Sequence, residues 1–153
     1  MESLRLNGVI VDGYNVLITT ESLLAGYPVY LCDDGFLRDT RGIFSSYKIS
    51  GLTAPALSGL LDLLAEAGPA QVEVLLDQQM SRSGELAELV RGIMVGRGLP
   101  GTARTARNVD HLLKVSDAVV ATSDGNVIDA AIRIYDLPAE IAKRRGIVPL
   151  SVS

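Results

Sequence analysis

The chain has 153 residues, of which 48% are hydrophobic and 21% are charged, and its formal net charge is −4. This composition excludes a disordered chain, the single cysteine (Cys32) excludes a disulfide scaffold, and no apolar run reaches the roughly 18 residues of a membrane-spanning helix. The acidic balance gives no general electrostatic argument for nucleic-acid binding. The first 13 residues lack the pattern of a signal peptide, so the sequence predicts one cytoplasmic domain, 1–153.

The N-terminal part begins with a predicted buried strand. Residues 8–12 (GVIVD) are nearly all apolar, include β-branched side chains and end in Asp12, as in a strand covered on both faces. A helix is predicted over 14–24. The long polar segment that follows predicts a small β-hairpin (27–32 and 43–49) around a charged turn, and segments longer than a connection needs are often functional.

The rest of the sequence alternates strands with helices. Such alternation is typical of α/β proteins with a mainly parallel sheet. We therefore predict a three-layer α/β/α sandwich with a small β-hairpin insertion. The predicted strands are 72–77, 102–109, 118–124 and, at an edge because of Pro149, 147–153; the predicted helices are 53–67, 81–98, 110–117, 125–137 and a last one from Pro138.

Three hydrophobic strands end in aspartate, at Asp12, Asp77 and Asp124. Parallel strands present their carboxyl ends at one edge of the sheet, where ligands bind. Asp110 and Asp129 are close enough in sequence to join them, although Asp129 can do so only if Asp124 lies in the turn after its strand. Clustered carboxylates repel unless a cation neutralises them, which indicates Mg²⁺ or Mn²⁺. The alternative is that each aspartate merely caps the following helix.

Two further segments carry polar groups that suit a phosphate. Asp34-Gly35 favours a tight turn, and Arg38 beside it would contact either a phosphate or a nearby carboxylate. Ser81, Arg82 and Ser83 open a predicted helix soon after Asp77. Free backbone N–H groups there can bind an anion, and the alternative is simple N-capping by Ser81 or Ser83.

The segment VDGYN at 11–15 resembles the opening of the PIN and NYN superfamily of metal-dependent ribonucleases, and TSD at 122–124 resembles the end of a late strand in that superfamily. A narrower resemblance covers nearly the whole chain. The segments VDGYNVL, DDGFLRD and VVATSDGNVID, together with SRSGELA after Asp77, are similar to an uncharacterised, chiefly archaeal PIN-like family. DDGFLRD is not a general PIN feature and suggests a specialised substrate or a different use of the fold.

The resemblance implies a PIN-like Mg²⁺- or Mn²⁺-dependent endoribonuclease. Asp12, Asp110 and Asp124 would be catalytic metal ligands, with Asp77 and Asp129 as further ligands. RNA is then the expected partner, and a homodimer is allowed. The alternatives are a catalytically silent module that binds RNA or protein, and a hydrolase of small phosphoesters. The predicted substrate-binding residues are Asn15, Asp34, Arg38, Ser81, Arg82, Ser83 and Ser123.

Overall fold

A computed structural model of the chain describes residues 4–39, 46–131 and 133–151. Fourteen strands and helices follow one another in these ranges, as the predicted alternation requires. In chain order they are β1 (Gly8–Asp12), α1 (Gly13–Ala25), β2 (Val29–Leu31), β3 (Leu37–Asp39), α2 (Thr53–Ala67), β4 (Gln71–Asp77), α3 (Ser83–Gly96), β5 (Gly101–Ala106), α4 (Val109–Val115), β6 (Val119–Ala121), α5 (Gly125–Ile128), β7 (Ile134–Tyr135), α6 (Leu137–Arg145) and β8 (Leu150–Ser151).

The central sheet has five parallel strands in the order β5-β4-β1-β6-β7. After β1, the next two strands of this sheet, β4 and β5, lie on one side of β1, and the following strand, β6, lies on its other side. The strand order therefore reverses between β1 and β6. In open α/β sheets such a switch point leaves a crevice at the carboxyl ends of the two strands, which is where ligands bind.

Helices cover both faces of this sheet, which confirms the predicted three-layer α/β/α arrangement. Side chains alternate between faces along a strand. Val9 and Val11 pack into the larger core beside α1, α2, α3 and α6, whereas Ile10 packs into the smaller core beside α4 and α5. Asp12 shares the alternation of Ile10, so it lies on the side of α4.

A second, three-stranded sheet has the order β3-β2-β8, with β2 antiparallel to β3 and parallel to β8. The predicted hairpin therefore exists, but its second strand is Leu37–Asp39 and not 43–49. Residues 43–45 lie outside the described residues, and 46–49 contain no strand. Leu37 is buried with Leu23 and Ala142, so the apolar core and not the charged turn sets the position of this strand.

Three other elements differ from the sequence prediction. The helix predicted over 125–137 ends at Ile128, and the short strand β7 follows because Ile134 and Tyr135 pair with β6. The strand predicted over 147–153 is only Leu150–Ser151 in the described part. The serine caps predicted for α3 are also wrong: the N-cap is Arg82, at φ 59°, and no side chain caps this end. None of the described helices is long and apolar enough to span a membrane.

Candidate functional site

A cavity of about 560 Å³ opens at the carboxyl ends of the central strands, at the switch point. Its lining comes from β1, β4, the first turn of α1, the turn after β6, and α4 with the segment that leads into it. The sheet supplies the floor and α4 one wall, so groups from distant parts of the sequence meet there. The lining residues are Asp12, Tyr14, Asn15, Leu75, Asp77, Arg107, Asn108, Val109, Asp110, His111, Lys114 and Asp124.

Asp12 lies at the floor of the cavity and is only 5% exposed. Its carboxylate accepts one hydrogen bond, from the Thr122 hydroxyl at 2.8 Å, and no ion pair to it exists among the described residues. Burial, which is the largest cause, raises the pKa of Asp12 from 3.8 to about 7 together with the nearby charges of Asp124 and Asp110, although the Thr122 hydrogen bond opposes the shift. A bound cation would lower the free-energy cost of keeping this carboxylate ionised in a buried place.

Asp110 and Asp124 reach the cavity from two different elements. Asp110 is exposed in the first turn of α4, and Asp124 lies in the turn between β6 and α5, whose first residue is Gly125. Asp124 is therefore outside the helix, as convergence requires. The three carboxylates do not form a preformed cage, because no group of three or more His, Cys, Asp or Glu side chains in the described ranges has the arrangement of a metal site. Mg²⁺ needs only one or two carboxylates when water and phosphate complete its shell.

Asp77 lines the opposite side of the cavity at the end of β4. One of its carboxylate oxygens accepts a hydrogen bond from the backbone N–H of Gln79 at 2.9 Å, so the side chain also stabilises the turn that follows the strand. The burial of Tyr14 and, to a smaller extent, the nearby charge of Asp77 raise the pKa of Tyr14 to about 12. Tyr14 in turn packs edge-on against Tyr47, with ring centroids 5.7 Å apart. Its ring is therefore part of the cavity wall and of the core.

Asn15 connects α1 to the turn after β6. Its side-chain oxygen accepts hydrogen bonds from the backbone N–H of Ser123 at 2.9 Å and from the Ser123 hydroxyl at 3.2 Å. Ser123 is only 1% exposed and does not line the cavity. The structure thus gives both residues a role in holding the turn that carries Asp124, with the Asn15 amide at the cavity surface.

Arg38 of β3 contacts the same turn from outside the cavity. Its Nε donates to the Ser123 carbonyl at 3.0 Å, its guanidinium would lie 3.3 Å from a Cβ at Gly125, and Asp34 pairs with it. Neither Arg38 nor Asp34 lines the cavity. Of the two alternatives open from the sequence, the structure shows the pair with a carboxylate. The hairpin therefore reaches the site through the backbone of Ser123.

We expect Arg38→Ala to lower the free energy of unfolding by about 1–2 kcal/mol, because it removes a charge-assisted hydrogen bond to the buried Ser123 segment. Arg38→Lys should recover only part of this stability, since lysine lacks the planar fork of donors. Asp34→Ala is the control, with a change below about 1 kcal/mol, because its pair with Arg38 is partly exposed. Urea denaturation measures all three variants, and equal destabilisation by Arg38→Ala and Asp34→Ala would contradict the importance of the hydrogen bond to Ser123.

Besides Asp34, Arg38 and Ser123, four more predicted site residues are not brought to the cavity. Asp129 is exposed in the turn after α5, and Ser81 is exposed ahead of α3. Arg82 pairs with Glu85 on its own helix, and the buried Ser83 hydroxyl donates to the Gln78 carbonyl. The structure therefore gives these residues local positions away from the carboxylates.

Sequence reasoning missed part of the site. Thr122, which donates to Asp12, belongs to the same TSD segment, and it lies two positions after Val120, whose side chain packs on the α4 side. The α4 wall was also missed. Neither Arg107 nor His111 belongs to one of the predicted motifs, because the orientation of a short helix is not encoded in a motif.

Comparison with known proteins gives a family without a known activity. The profile of a family described as a domain of unknown function (DUF5616) matches residues 1–140. An uncharacterized protein of Methanocaldococcus jannaschii is 38% identical over 120 residues, which cover 78% of this chain and 57% of that protein. The chain thus spans a little over half the length of this curated relative. No solved structure matches the chain.

Proposed function

The chain belongs to the family described as a domain of unknown function (DUF5616), and from its site we propose that it is a divalent-metal-dependent endoribonuclease of PIN-like type. One observation carries the proposal. The carboxylates of Asp12, Asp110 and Asp124 meet at an open cavity on the switch point of a parallel sheet, and the innermost of them is buried without a cation partner among the described residues. Buried charges in proteins are ordinarily paired or bound to metals.

The donor set fits a hard cation. All of its acidic side chains are aspartates, whose oxygens Mg²⁺ and Mn²⁺ prefer, and the cavity offers no cysteine. Bound Mg²⁺ or Mn²⁺ would make a water molecule acidic enough to attack a phosphodiester and would offset the charge of the phosphate. In this proposal Asp12 and Asp124 hold the ion, and Asp110 and Asp77 orient the attacking water from the cavity walls.

The neighbouring residues have positioning roles. Thr122 fixes one oxygen of Asp12, and Asn15 and Arg38 hold the Ser123 backbone, so the two inner carboxylates keep a fixed separation when the substrate enters. Rigid supporting contacts of this kind tune metal sites and their affinity. The side chain of Asn15 also faces the cavity, where its amide N–H can donate to a phosphate oxygen.

A second candidate function is a catalytically silent module that binds RNA or protein through the same cavity. It is favoured by the loose spacing of the carboxylates, since no three of the described acidic, His or Cys side chains are arranged as a metal site. A closed, narrow pocket would favour a small phosphoester instead, but the cavity is open to solvent along the α4 wall, where Asp110, His111 and Lys114 are exposed.

The proposal is tested with labelled RNA, both linear and circular, in Mn²⁺ or in EDTA. We expect both RNAs to be cut in Mn²⁺ and neither in EDTA, because an endonuclease needs no end. Asp124→Asn, purified in parallel, should cut roughly a hundredfold more slowly, since it removes a charge that helps to hold the ion. Cleavage in EDTA, or cleavage by Asp124→Asn at the rate of the wild type, would contradict the proposed site. Binding of RNA without cleavage would favour the silent module.

A further inference from the structure

The α4 wall of the cavity carries basic and hydrogen-bonding side chains that the proposed metal site does not use. Arg107 and Asn108 precede α4, and His111 and Lys114 project from it at a spacing of three residues, which places them on one helix face. All four are exposed and line the cavity together with the aspartates. The cavity thus has an acidic floor and one basic wall, which we call the α4 rim (Arg107, Asn108, His111 and Lys114).

The two cations of the α4 rim have no partner among the residues that the structure describes. Within the described ranges neither the Arg107 nor the Lys114 side chain makes a hydrogen bond or an ion pair, although Asp110 stands one helical turn before Lys114. Acid–base pairs four residues apart on a helix often associate. Most other arginines are engaged: Arg82 with Glu85, Arg97 with Asp62, Arg104 with Glu73, Arg144 with Glu66, and Arg91 with the Ala103 carbonyl.

Resting on the proposed nuclease function, we infer that the α4 rim binds the RNA backbone beside the phosphate that is cleaved. Arginine and lysine are the side chains that neutralise phosphates, and Asn108 and His111 add N–H donors between them. The rim extends along the whole of α4, about 10 Å for its seven residues. That length exceeds a single phosphate group and suits a chain with charges at regular intervals.

The same geometry explains how an acidic chain approaches a polyanion. The net charge of −4 opposes RNA at long range, but at the cavity the first groups that a strand meets are the exposed cations of the α4 rim. Asp110 is exposed on the same helix, but Asp77 and Asp124 are only partly exposed and Asp12 is 5% exposed, so the inner carboxylates lie deeper than the rim. Binding to the α4 rim would therefore guide one phosphate toward the buried carboxylates while its neighbours stay on the rim.

The test measures binding separately from cleavage. A labelled single-stranded oligoribonucleotide is titrated in EDTA with wild type, Arg107→Ala, Lys114→Ala and the double variant, at several KCl concentrations. We expect roughly tenfold weaker binding for each single variant. The slope of log binding constant against log salt should become less steep by about 0.7 for each phosphate that a variant no longer neutralises. Arg104→Ala, three positions before Arg107 and paired with Glu73 away from the cavity, should bind like wild type.

The outcomes separate this inference from the nuclease proposal. If the variants keep the RNA affinity and the salt slope of the wild type, the inference is overturned. A larger rise in melting temperature with Mn²⁺ for the variants than for the wild type would then show that the two cations only offset the charge of the aspartates. Failure of the wild type to bind the RNA in EDTA also overturns it. If RNA binds through the α4 rim but is not cut in Mn²⁺, the nuclease proposal fails, whereas the inference that the rim binds RNA is supported. Inorganic phosphate that competes as well as the RNA, mole for mole, would replace the RNA backbone with a single phosphate as ligand and overturn the inference.

Discussion

Replacement of Asp12 with Asn should have two opposite effects. RNA cleavage should fall by a factor on the order of 10³ or more, because the variant lacks the carboxylate at the floor of the site. The metal-free protein should nevertheless become more stable at pH 8, by about 2–4 kcal/mol, because a buried negative charge near two others is replaced by a neutral amide of the same shape. Opposite effects on activity and stability are typical of a functional site.

The stability difference should depend on pH in a defined direction. The pKa of Asp12 is raised in the folded protein, to about 7, from an ordinary value of 3.8. Between these values the folded state binds a proton that the unfolded state does not bind, so the stability of the wild type falls as the pH rises. The fall is at most about 1.4 kcal/mol per pH unit inside the window, is smaller near either pKa, and stops above the folded pKa. Asp12→Asn lacks this dependence, so the two proteins should be similar near pH 4 and differ most above pH 7.

Denaturant unfolding from pH 4.5 to 8 in EDTA measures this difference, since shifts at other carboxyls cancel in the comparison. Asp117→Asn, a surface aspartate outside the cavity, is the matched control and should follow the wild type. Saturating Mn²⁺ should then stabilise the wild type, by about 2.7 kcal/mol at a hundred times its dissociation constant. Asp12→Asn should gain little from Mn²⁺. A variant that is less stable than wild type at pH 8 in EDTA would show that the carboxylate is satisfied without a metal.

The central sheet and its acidic edge were predictable because both follow from short-range rules. Continuous apolar runs predicted the buried parallel strands, and the two-residue alternation places Asp12 and Asp77 on the same side as Ile10 and Leu75. Asp110 joined the set because α4 packs on that side. The resemblance to PIN-like ribonucleases supplied the roles of these residues, which stay predictions until cleavage is measured.

The hairpin and the α4 rim were not predictable from the same rules. In the hairpin, Asp34-Gly35 did predict a turn, but the charged neighbours concealed the following strand, whose position depends on the burial of Leu37 by α1 and α6. The role of Arg38 depends on a hydrogen bond to Ser123, 85 positions away. The α4 rim likewise depends on the rotation of one short helix against the sheet. Long-range packing decides all three, and local sequence patterns contain no measure of it.

Gly13→Ala should destabilise the protein and damage the site together. Gly13 begins α1 directly after Asp12, and a Cβ there would lie 2.5 Å from Leu76 Cδ2 and 2.7 Å from the backbone carbonyl oxygen of Leu75. The leucine side chain can move, but the carbonyl belongs to β4 and cannot move without disturbing the sheet. Overpacking of this kind costs about 1–3 kcal/mol or more, which outweighs the gain of up to about 1 kcal/mol from placing alanine in a helix.

The displacement would pass directly to Asp12, because a shift of the first turn of α1 moves the end of β1. A misplacement of about 1 Å at reacting groups lowers rates about a hundredfold, so RNA cleavage should fall by that order even in the fraction that stays folded. Gly92→Ala is the matched control: Gly92 lies inside α3 and a Cβ there would meet no neighbouring atom within 4 Å, so alanine should raise the free energy of unfolding by about 0.5–1 kcal/mol. Urea unfolding and cleavage rates per folded molecule measure both variants. If Gly13→Ala were as stable as Gly92→Ala, α1 would not approach β4 as closely as the structure shows, and the close packing of Gly13 would not be what holds Asp12 in place.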